Sequence, residues 1–184
     1  MVNQKKTEEQ AVNAIKFYFD SVDFVDTSKI AINDKEPGLD GAIDVYGVKD
    51  SEQFSKSNLK FSMPVQVKGT TKKITNNKHS VQVVDLSFYQ KHSNGLVYFV
   101  VATFNHERRI FFRKLAPLDI KEILEKVRLG KVAQKTKTLS FTIVPNDPKA
   151  LINIFSDLHA QQERQSRNVL DLSEIAGPTG EIAV

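Results

Sequence analysis

A near-continuous apolar run from Leu96 to Phe104 most constrains what this chain can fold into. The run is rich in valine, with tyrosine and phenylalanine, and such a segment is typical of a central strand buried on both faces. A second predicted strand, Lys60 to Lys68, alternates instead, because its apolar residues share one face while Gln66 and Lys68 share the other. One face of this strand can pack against a core, and the other is available for chemistry.

The remaining segments predict an α/β fold of one domain. Further strands are predicted over residues 42–48, 81–86, 109–115 and 139–144, and helices over 8–21, 85–92, 118–129 and from 148 onward. The last helix is expected to end within residues 161–167, because little periodicity follows. Residues 1–168 are therefore predicted to form the domain, and residues 169–184 a C-terminal linker or tail.

The composition is that of a soluble globular domain, with 40% hydrophobic and 26% charged residues. Because the chain has no cysteine, it offers neither a disulfide framework nor a thiolate metal site. No apolar run is long enough for a signal peptide or a membrane span, so we expect a cytoplasmic protein without a membrane partner. The net charge of +4 permits a polyanionic partner without requiring one.

Several enzyme classes find no support in the sequence. The glycines form no phosphate-binding loop, and no serine lies in a nucleophile elbow. Nucleotide hydrolysis and serine hydrolase chemistry are therefore not expected. The histidines lack metal-ligand spacing and lie in polar contexts, which predicts surface positions for His79, His92, His106 and His159.

Oxygen and ammonium groups are predicted to meet at the ends of two neighbouring strands. Asp40 opens the segment Asp-Gly-Ala-Ile-Asp, and Gln66 and Lys68 end the alternating strand. A hard divalent cation prefers oxygen ligands, and a nearby lysine can orient or deprotonate a water that attacks a phosphodiester. This combination of side chains favours nuclease chemistry.

Other acidic residues are alternatives at this site. Asp44 falls on the same face as Asp40 if the strand has already begun at Asp40, which makes Asp44 the main rival, whereas Glu36 lies nearer the preceding turn. Asp40 can also be interpreted as an ordinary turn aspartate, because aspartate is common before glycine in turns.

An acidic residue of the first predicted helix is expected to reach the same site. Glu8 continues the helical line of Val12 and Ile15, so its carboxylate should lean toward the sheet, whereas Glu9 turns aside. An acid aimed at a core needs a partner, and a metal site would supply one. The helix dipole alone also favours an acid in the first turn.

The order and spacing of these residues resemble the PD-(D/E)xK nuclease superfamily, in particular its Mrr-like restriction endonuclease branch. In that branch an Asp-Gly-Ile-Asp type segment precedes a Gln-x-Lys strand, and the likeness covers about residues 5–115. The resemblance implies a restriction-endonuclease-like core, an α/β fold whose central mixed β-sheet is flanked by helices. It also implies a metal-dependent DNA endonuclease that acts in restriction or anti-phage defence.

The resemblance assigns a role to each matching residue. Glu8, Asp40 and Gln66 would hold Mg²⁺, for which Mn²⁺ can substitute, and Lys68 would position or activate the attacking water. Gln66 stands where many relatives carry glutamate, which removes one negative charge from the metal site. The main alternative is therefore a catalytically inactive nuclease-fold module that binds nucleic acid or a partner protein.

Basic residues near the predicted site are the candidate contacts for DNA phosphates. They are Lys72, Lys73, Lys78, Arg108 and Arg109. An ordinary solvated surface explains the same charges equally well, and RNA stays open as an alternative to DNA. No recognition helix is evident, so sequence specificity is expected to come from a homodimer or from other parts of a larger protein or complex.

Overall fold

The computed structural model describes residues 4–31, 38–47, 55–105, 107–130 and 134–175, with side chains as far as residue 165. Glu36 and His106 lie outside the described residues. In chain order the elements are α1 (Gln4–Phe19), β1 (Val25–Asp26), β2 (Gly41–Tyr46), a 3₁₀ turn (Lys56–Asn58), β3 (Leu59–Thr70), β4 (Lys78–Gln82), α2 (Val83–His92), β5 (Leu96–Phe104), β6 (Glu107–Leu115), α3 (Pro117–Arg128), β7 (Thr136–Ser140), β8 (Thr142–Ile143) and α4 (Pro148–Ile175).

A mixed sheet forms the centre of the described part of the chain. Its strands follow the order β1–β2–β3–β5–β6–β8, with β3 and β5 parallel and the other neighbours antiparallel. The strands β4 and β7 pair separately as a small antiparallel sheet. Helices pack on both faces of the main sheet. The predicted α/β fold with a central mixed sheet flanked by helices is therefore confirmed.

Two apolar layers cover the main sheet. Helices α1 and α4 pack on one face, where Ile15 and Phe155 are fully buried. Helices α2 and α3 and the small sheet cover the other face, where Leu86 is fully buried. Strand β5 serves both layers, because Phe99 belongs to the first and Val100 to the second. The prediction of a central strand buried on both faces is confirmed.

Gly69 allows helix α1 to approach the end of β3 closely. A Cβ atom at Gly69 would lie 2.4 Å from the carbonyl oxygen of Thr7, so a side chain there would collide with the helix backbone. Because glycine avoids this collision, the first turns of α1, which carry Glu8, lie against the C-terminal end of β3. The fold thereby brings Glu8 near the predicted catalytic strand.

Two predicted strands differ from the structure by more than the one or two residues seen at the ends of the others. The predicted strand 81–86 stops early because α2 begins at Val83. The N–H of Val83 donates to the carbonyl oxygen of Lys135, directly before β7. The predicted strand 139–144 divides between the two sheets, since β7 pairs with β4 whereas β8 pairs with β6. Phe141 lies between them and is buried in the second apolar layer, which holds the crossing point in place.

Both terminal helices are longer than the sequence predicts. Helix α1 begins at Gln4 rather than at residue 8, and α4 continues to Ile175 instead of ending within residues 161–167. Apolar periodicity fades there, but glutamine, glutamate and arginine have good helix propensity and carry the helix on. Residues 169–175 of the predicted tail are therefore helical, and the rest of that tail lies outside the described residues.

Candidate functional site

Asp40 and Gln66 are in direct contact across strands β2 and β3. Gly41 pairs with Val65 in this ladder, and the N–H of Asp40 donates to the carbonyl of Val65 at 3.1 Å. The Gln66 side chain donates through Nε2 to Oδ2 of Asp40, and the N–H of Val67 donates to the same oxygen at 2.6 Å. Two of the predicted site residues, far apart in sequence, therefore form one hydrogen-bonded pair.

The other end of the Gln66 amide is held by a tyrosine of helix α2. The Tyr89 hydroxyl donates to Oε1 of Gln66 at 3.0 Å, and both residues are only 2% exposed. Burial raises the pKa of Tyr89, so its hydroxyl stays protonated and remains a donor. Because its oxygen accepts from Tyr89 and its nitrogen donates to Asp40, Gln66 orients the Asp40 carboxylate. The prediction that Gln66 also binds a metal stays a prediction.

Glu8 and Lys68 line one open cleft of about 680 Å³ at the C-terminal end of β3. Glu8 is half-buried, whereas the adjacent Glu9 is exposed, as the helical phase predicts. Lys72, His79 and Asp85 also line this cleft. The cleft therefore holds both acidic and basic side chains at one end of the sheet.

Strand β5 connects the Asp40–Gln66 pair with the cleft. Gln66 and Lys68 share one face of β3 and stand about 7 Å apart along the strand, given roughly 3.3 Å per residue. Tyr98 is the register partner of Gln66 and lines the cleft. Burial raises the pKa of Tyr98, and the carboxylates of Asp85 and Asp40 raise it further. The two pairs of predicted residues are therefore neighbours, although Asp40 and Gln66 are not themselves cleft-lining residues.

Asp44, the main rival of Asp40, has a structural environment of its own. Its carboxylate is 1% exposed and lies 2.5 Å from Nζ of Lys29. The Ser62 hydroxyl donates to it at 2.6 Å, and the Tyr46 hydroxyl at 3.4 Å. Asp44 lies within β2, whereas Asp40 directly precedes that strand. An ion pair and two hydroxyl donors give this buried carboxylate a stabilising role in the sheet.

The donor set near the cleft fits a magnesium ion better than a transition metal. Glu8 and Asp40 offer hard carboxylate oxygens, and magnesium typically takes one or two carboxylates plus substrate phosphates and water. Within the described ranges no group of three or more His, Cys, Asp or Glu side chains could hold a metal ion.

The predicted DNA-contacting residues divide into four locations. Lys72 lines the cleft, and Lys73 and Arg109 line a second, smaller cavity. Lys78 is exposed at the start of β4. Arg108 alternates with Arg109 along β6, so it lies on the opposite face of the sheet. The structure therefore groups Lys72, Lys73 and Arg109 on the Lys68 side and separates Arg108 from them.

The expectation that the histidines are surface residues is wrong for His79. This residue is half-buried in the cleft wall with its ring edge-on to Phe141, at a centroid distance of 6.0 Å. Burial lowers the pKa of His79, which keeps its imidazole neutral at pH 7. Alternation with the buried Val81 on β4 is the sequence signal that could have identified it. His92 and His159 stack on Phe88 and Phe61, so aromatic neighbours also order these two rings.

Sequence reasoning also missed Asp85 and Tyr89. Asp85 lies in the first turn of α2 and lines the cleft, but its position looks like an ordinary helix-start acid. Tyr89 contacts Gln66 only because α2 folds back over β3, and no local pattern encodes that contact.

Comparisons of the chain with protein-family models, with curated proteins and with solved structures found no match. Among the described residues, none of the helices combines the length and the apolar character needed to cross a membrane.

Proposed function

We propose that this protein is a magnesium-dependent DNA endonuclease whose site lies at the C-terminal end of β3. The observation that carries the proposal is the contact of Asp40, directly before β2, with Gln66 on β3, next to a cleft that both Lys68 and Glu8 line. The resemblance to PD-(D/E)xK nucleases implies that these four side chains act at one site, and the nearness of the two pairs supports the proposal. Restriction or anti-phage defence, in a cytoplasmic setting, is the role that fits such an activity.

The proposed reaction is hydrolysis of a phosphodiester. A water oxygen forms a bond to phosphorus while the bond between phosphorus and one sugar oxygen breaks. The attacking water gives one proton to solvent, and the leaving sugar oxygen takes one proton from solvent. Asp40 and Glu8 would hold the magnesium ion, whose charge polarises phosphoryl oxygens when it is bound. Lys68 donates hydrogen bonds to the attacking water or the phosphate and offsets the charge that develops in the transition state.

Gln66 and Tyr89 support this chemistry from behind the cleft. Gln66 and the N–H of Val67 both donate to Oδ2 of Asp40, which fixes the direction of that carboxylate. Fixed carboxylates lose little orientational freedom when a cation binds, so the arrangement favours a preorganised site. Gln66 is accordingly a positioning residue in this proposal.

The test is cleavage of plasmid and linear DNA by the purified chain with magnesium or manganese, with and without EDTA. We expect EDTA, Asp40→Asn and Lys68→Ala each to abolish cleavage. Asp44→Asn is the matched control, because its carboxylate is engaged by Lys29 and Ser62; it should lower the melting temperature while the folded protein still cuts. Cleavage that survives both Asp40→Asn and Lys68→Ala would show that the assigned site is wrong.

The two helix glutamates provide a second internal comparison. Glu8 lines the cleft and Glu9 is exposed, so Glu8→Gln should reduce cleavage far more than Glu9→Gln. Circular dichroism of both variants checks that the helix is intact. Equal losses of activity would exclude Glu8 from the site.

Phosphate contacts can be separated from the chemical step. Replacing Lys72, Lys73 and Lys78 with alanine should weaken DNA binding and make it less dependent on salt. If each lysine contacts one phosphate, the slope of the logarithm of the binding constant against the logarithm of the salt concentration should become shallower by up to about 2.7. Lys68→Ala should bind DNA nearly as before yet fail to cut. Arg108→Ala is the control, because Arg108 lies on the other face of the sheet. An unchanged slope in the triple variant would remove these lysines from the DNA path.

A second candidate function is a nuclease-like module that binds nucleic acid or a partner protein without cutting. The observation that favours it is the hydrogen bonding of Gln66, which donates to Asp40 and accepts from Tyr89 where a glutamate would add negative charge. DNA binding that is unaffected by EDTA, without cleavage under any divalent metal, would support this module over the endonuclease.

A further inference from the structure

A second cavity lies beyond the cleft, at the turn between β5 and β6. Its volume is about 260 Å³, and its walls come from the hairpin and from the chain that follows β3. The apolar wall includes Phe104, which is 42% exposed although it is a large aromatic residue. Lys73 and Arg109 line the same cavity. An exposed aromatic side chain and two cationic side chains therefore line one cavity.

The cavity and the cleft lie on one face of the main sheet. Lys68 is the register partner of Val100 on β5, and Phe104 lies on the same strand face as Val100. Phe104 in turn pairs with Glu107 on β6 and shares that face with Arg109. Phe104 lies four positions after Val100, which is about 13 Å along the strand. A chain that passes Lys68 can therefore reach Phe104 without crossing an edge of the sheet.

Consecutive lysines join the two cavities. Lys72 lines the cleft and Lys73 lines the second cavity, and both are exposed. Arg109 forms an ion pair with Glu107 at 3.3 Å, but both side chains are mostly exposed, so the pair is weak and the guanidinium can also meet a phosphate. Positive charge thus follows the path from the cleft to the aromatic wall.

We propose that this cavity binds an unpaired nucleobase of the polynucleotide whose backbone lies in the cleft. The base stacks on Phe104, and Lys73 and Arg109 contact the flanking phosphates. Stacking of bases on aromatic side chains beside cationic residues is a general means of binding single-stranded nucleic acid. The inference rests on the proposed function only in taking a nucleic acid as the ligand. The separation of about 13 Å between Val100, beside Lys68, and Phe104 corresponds to roughly four nucleotide steps of a B-form strand at 3.4 Å each.

The absence of tryptophan from the chain allows a direct test. A Phe104→Trp variant carries a single tryptophan, in the cavity wall, whose emission can be excited apart from that of the four tyrosines. We expect its fluorescence to be quenched by oligodeoxycytidine and not by an abasic oligonucleotide of the same length and charge. Phe17→Trp is the matched control, because Phe17 is 78% exposed on α1, which packs on the other face of the sheet. The same oligonucleotides should leave its fluorescence unchanged.

Affinity gives the second measurement. The protein should bind oligodeoxycytidine about 5- to 150-fold more tightly than the abasic strand, the range expected for one stacked base. Phe104→Ala should lose this preference while it keeps its affinity for the abasic strand, and Phe104→Trp should retain the preference. Equal binding of both strands by the unaltered protein, or a full preference in Phe104→Ala, would overturn the proposal, as would failure to bind either strand.

The outcome for the nuclease proposal is separate. If the protein cuts DNA with magnesium but shows no base-dependent quenching at position 104, the endonuclease stands and the base cavity fails. If quenching and the base preference are present but no metal supports cleavage, the base cavity stands and the endonuclease fails.

Discussion

Tyr89→Phe is the most direct test of how the candidate site is held. The Tyr89 hydroxyl donates to Oε1 of Gln66 at 3.0 Å in a region where both side chains are 2% exposed. Phenylalanine keeps the ring in the core but removes the donor, so a buried amide oxygen loses its partner. Leaving one buried acceptor unsatisfied costs about 1 to 3 kcal/mol. For a chain of this size, a loss of about 2 kcal/mol in the free energy of unfolding should lower the melting temperature by roughly 4 to 8 °C.

The measurement is urea unfolding followed by circular dichroism, with thermal unfolding as a second assay. Tyr98→Phe is the matched control, because Tyr98 is also 2% exposed and lies beside Gln66 but lines the cleft. It should cost clearly less than Tyr89→Phe. The Tyr89→Phe variant should also cut DNA more slowly, because Gln66 would orient Asp40 less firmly. A loss no larger than that of Tyr98→Phe would refute the role given to this hydrogen bond.

Two further predictions concern the packing around the site. Gly69→Ala should destabilise the protein by about 1 to 3 kcal/mol and impair cleavage, because the new Cβ would lie 2.4 Å from the carbonyl oxygen of Thr7. Gly47→Ala is the control: the nearest atom to its Cβ would be 3.6 Å away, so the unfolding assay should show little change. Burial raises the pKa of Tyr18 to about 12. The Tyr18 hydroxyl therefore loses its proton near pH 10 in the unfolded chain but only at higher pH in the folded protein. As pH rises from 10 to 12, the free energy of unfolding should fall by about 1 kcal/mol. This is less than the full linkage value, because the hydroxyl is only part-buried. Tyr18→Phe should remove this component from the pH dependence of unfolding, and an unchanged profile would contradict it.

The fold could be predicted where a pattern is local and repeated. The apolar run of β5 and the alternation of β3 each report burial directly, and both strands lie where the sequence predicts them. Helix phase likewise placed Glu8 toward the cleft and Glu9 toward solvent. These predictions share one cause: when one face of a helix or strand is buried, apolar residues recur along the sequence at the period of that element.

The rest depends on contacts between distant segments. The hydrogen bond from Tyr89 to Gln66 requires α2 to fold over β3, and the division of residues 139–144 between two sheets requires Phe141 to be buried at the crossing. His79 entered the cleft for the same reason, because β4 pairs with β7 rather than with the main sheet. A polar sequence context describes neighbours along the chain and carries no information about such partners.

The identity of residue 66 offers a test of whether the Asp40 environment is a cation site. Gln66 donates to Asp40, and this donor disappears in Gln66→Glu. Two carboxylates would then face each other at a position that is 2% exposed, and an unpaired buried charge of this kind costs about 3 kcal/mol. The variant should therefore be much less stable than the parent protein in EDTA.

Magnesium should reverse that loss if Asp40 helps to hold a cation. An added carboxylate strengthens a magnesium site, and an ion present at 100 times its dissociation constant stabilises the folded state by about 2.7 kcal/mol. We therefore expect the melting temperature of Gln66→Glu to rise steeply with magnesium, whereas that of Gln66→Met should not respond beyond the parent protein. If magnesium leaves Gln66→Glu as unstable as EDTA does, Asp40 and residue 66 share no cation. Their hydrogen bond would then serve the fold, and the binding module would become the better account of this protein.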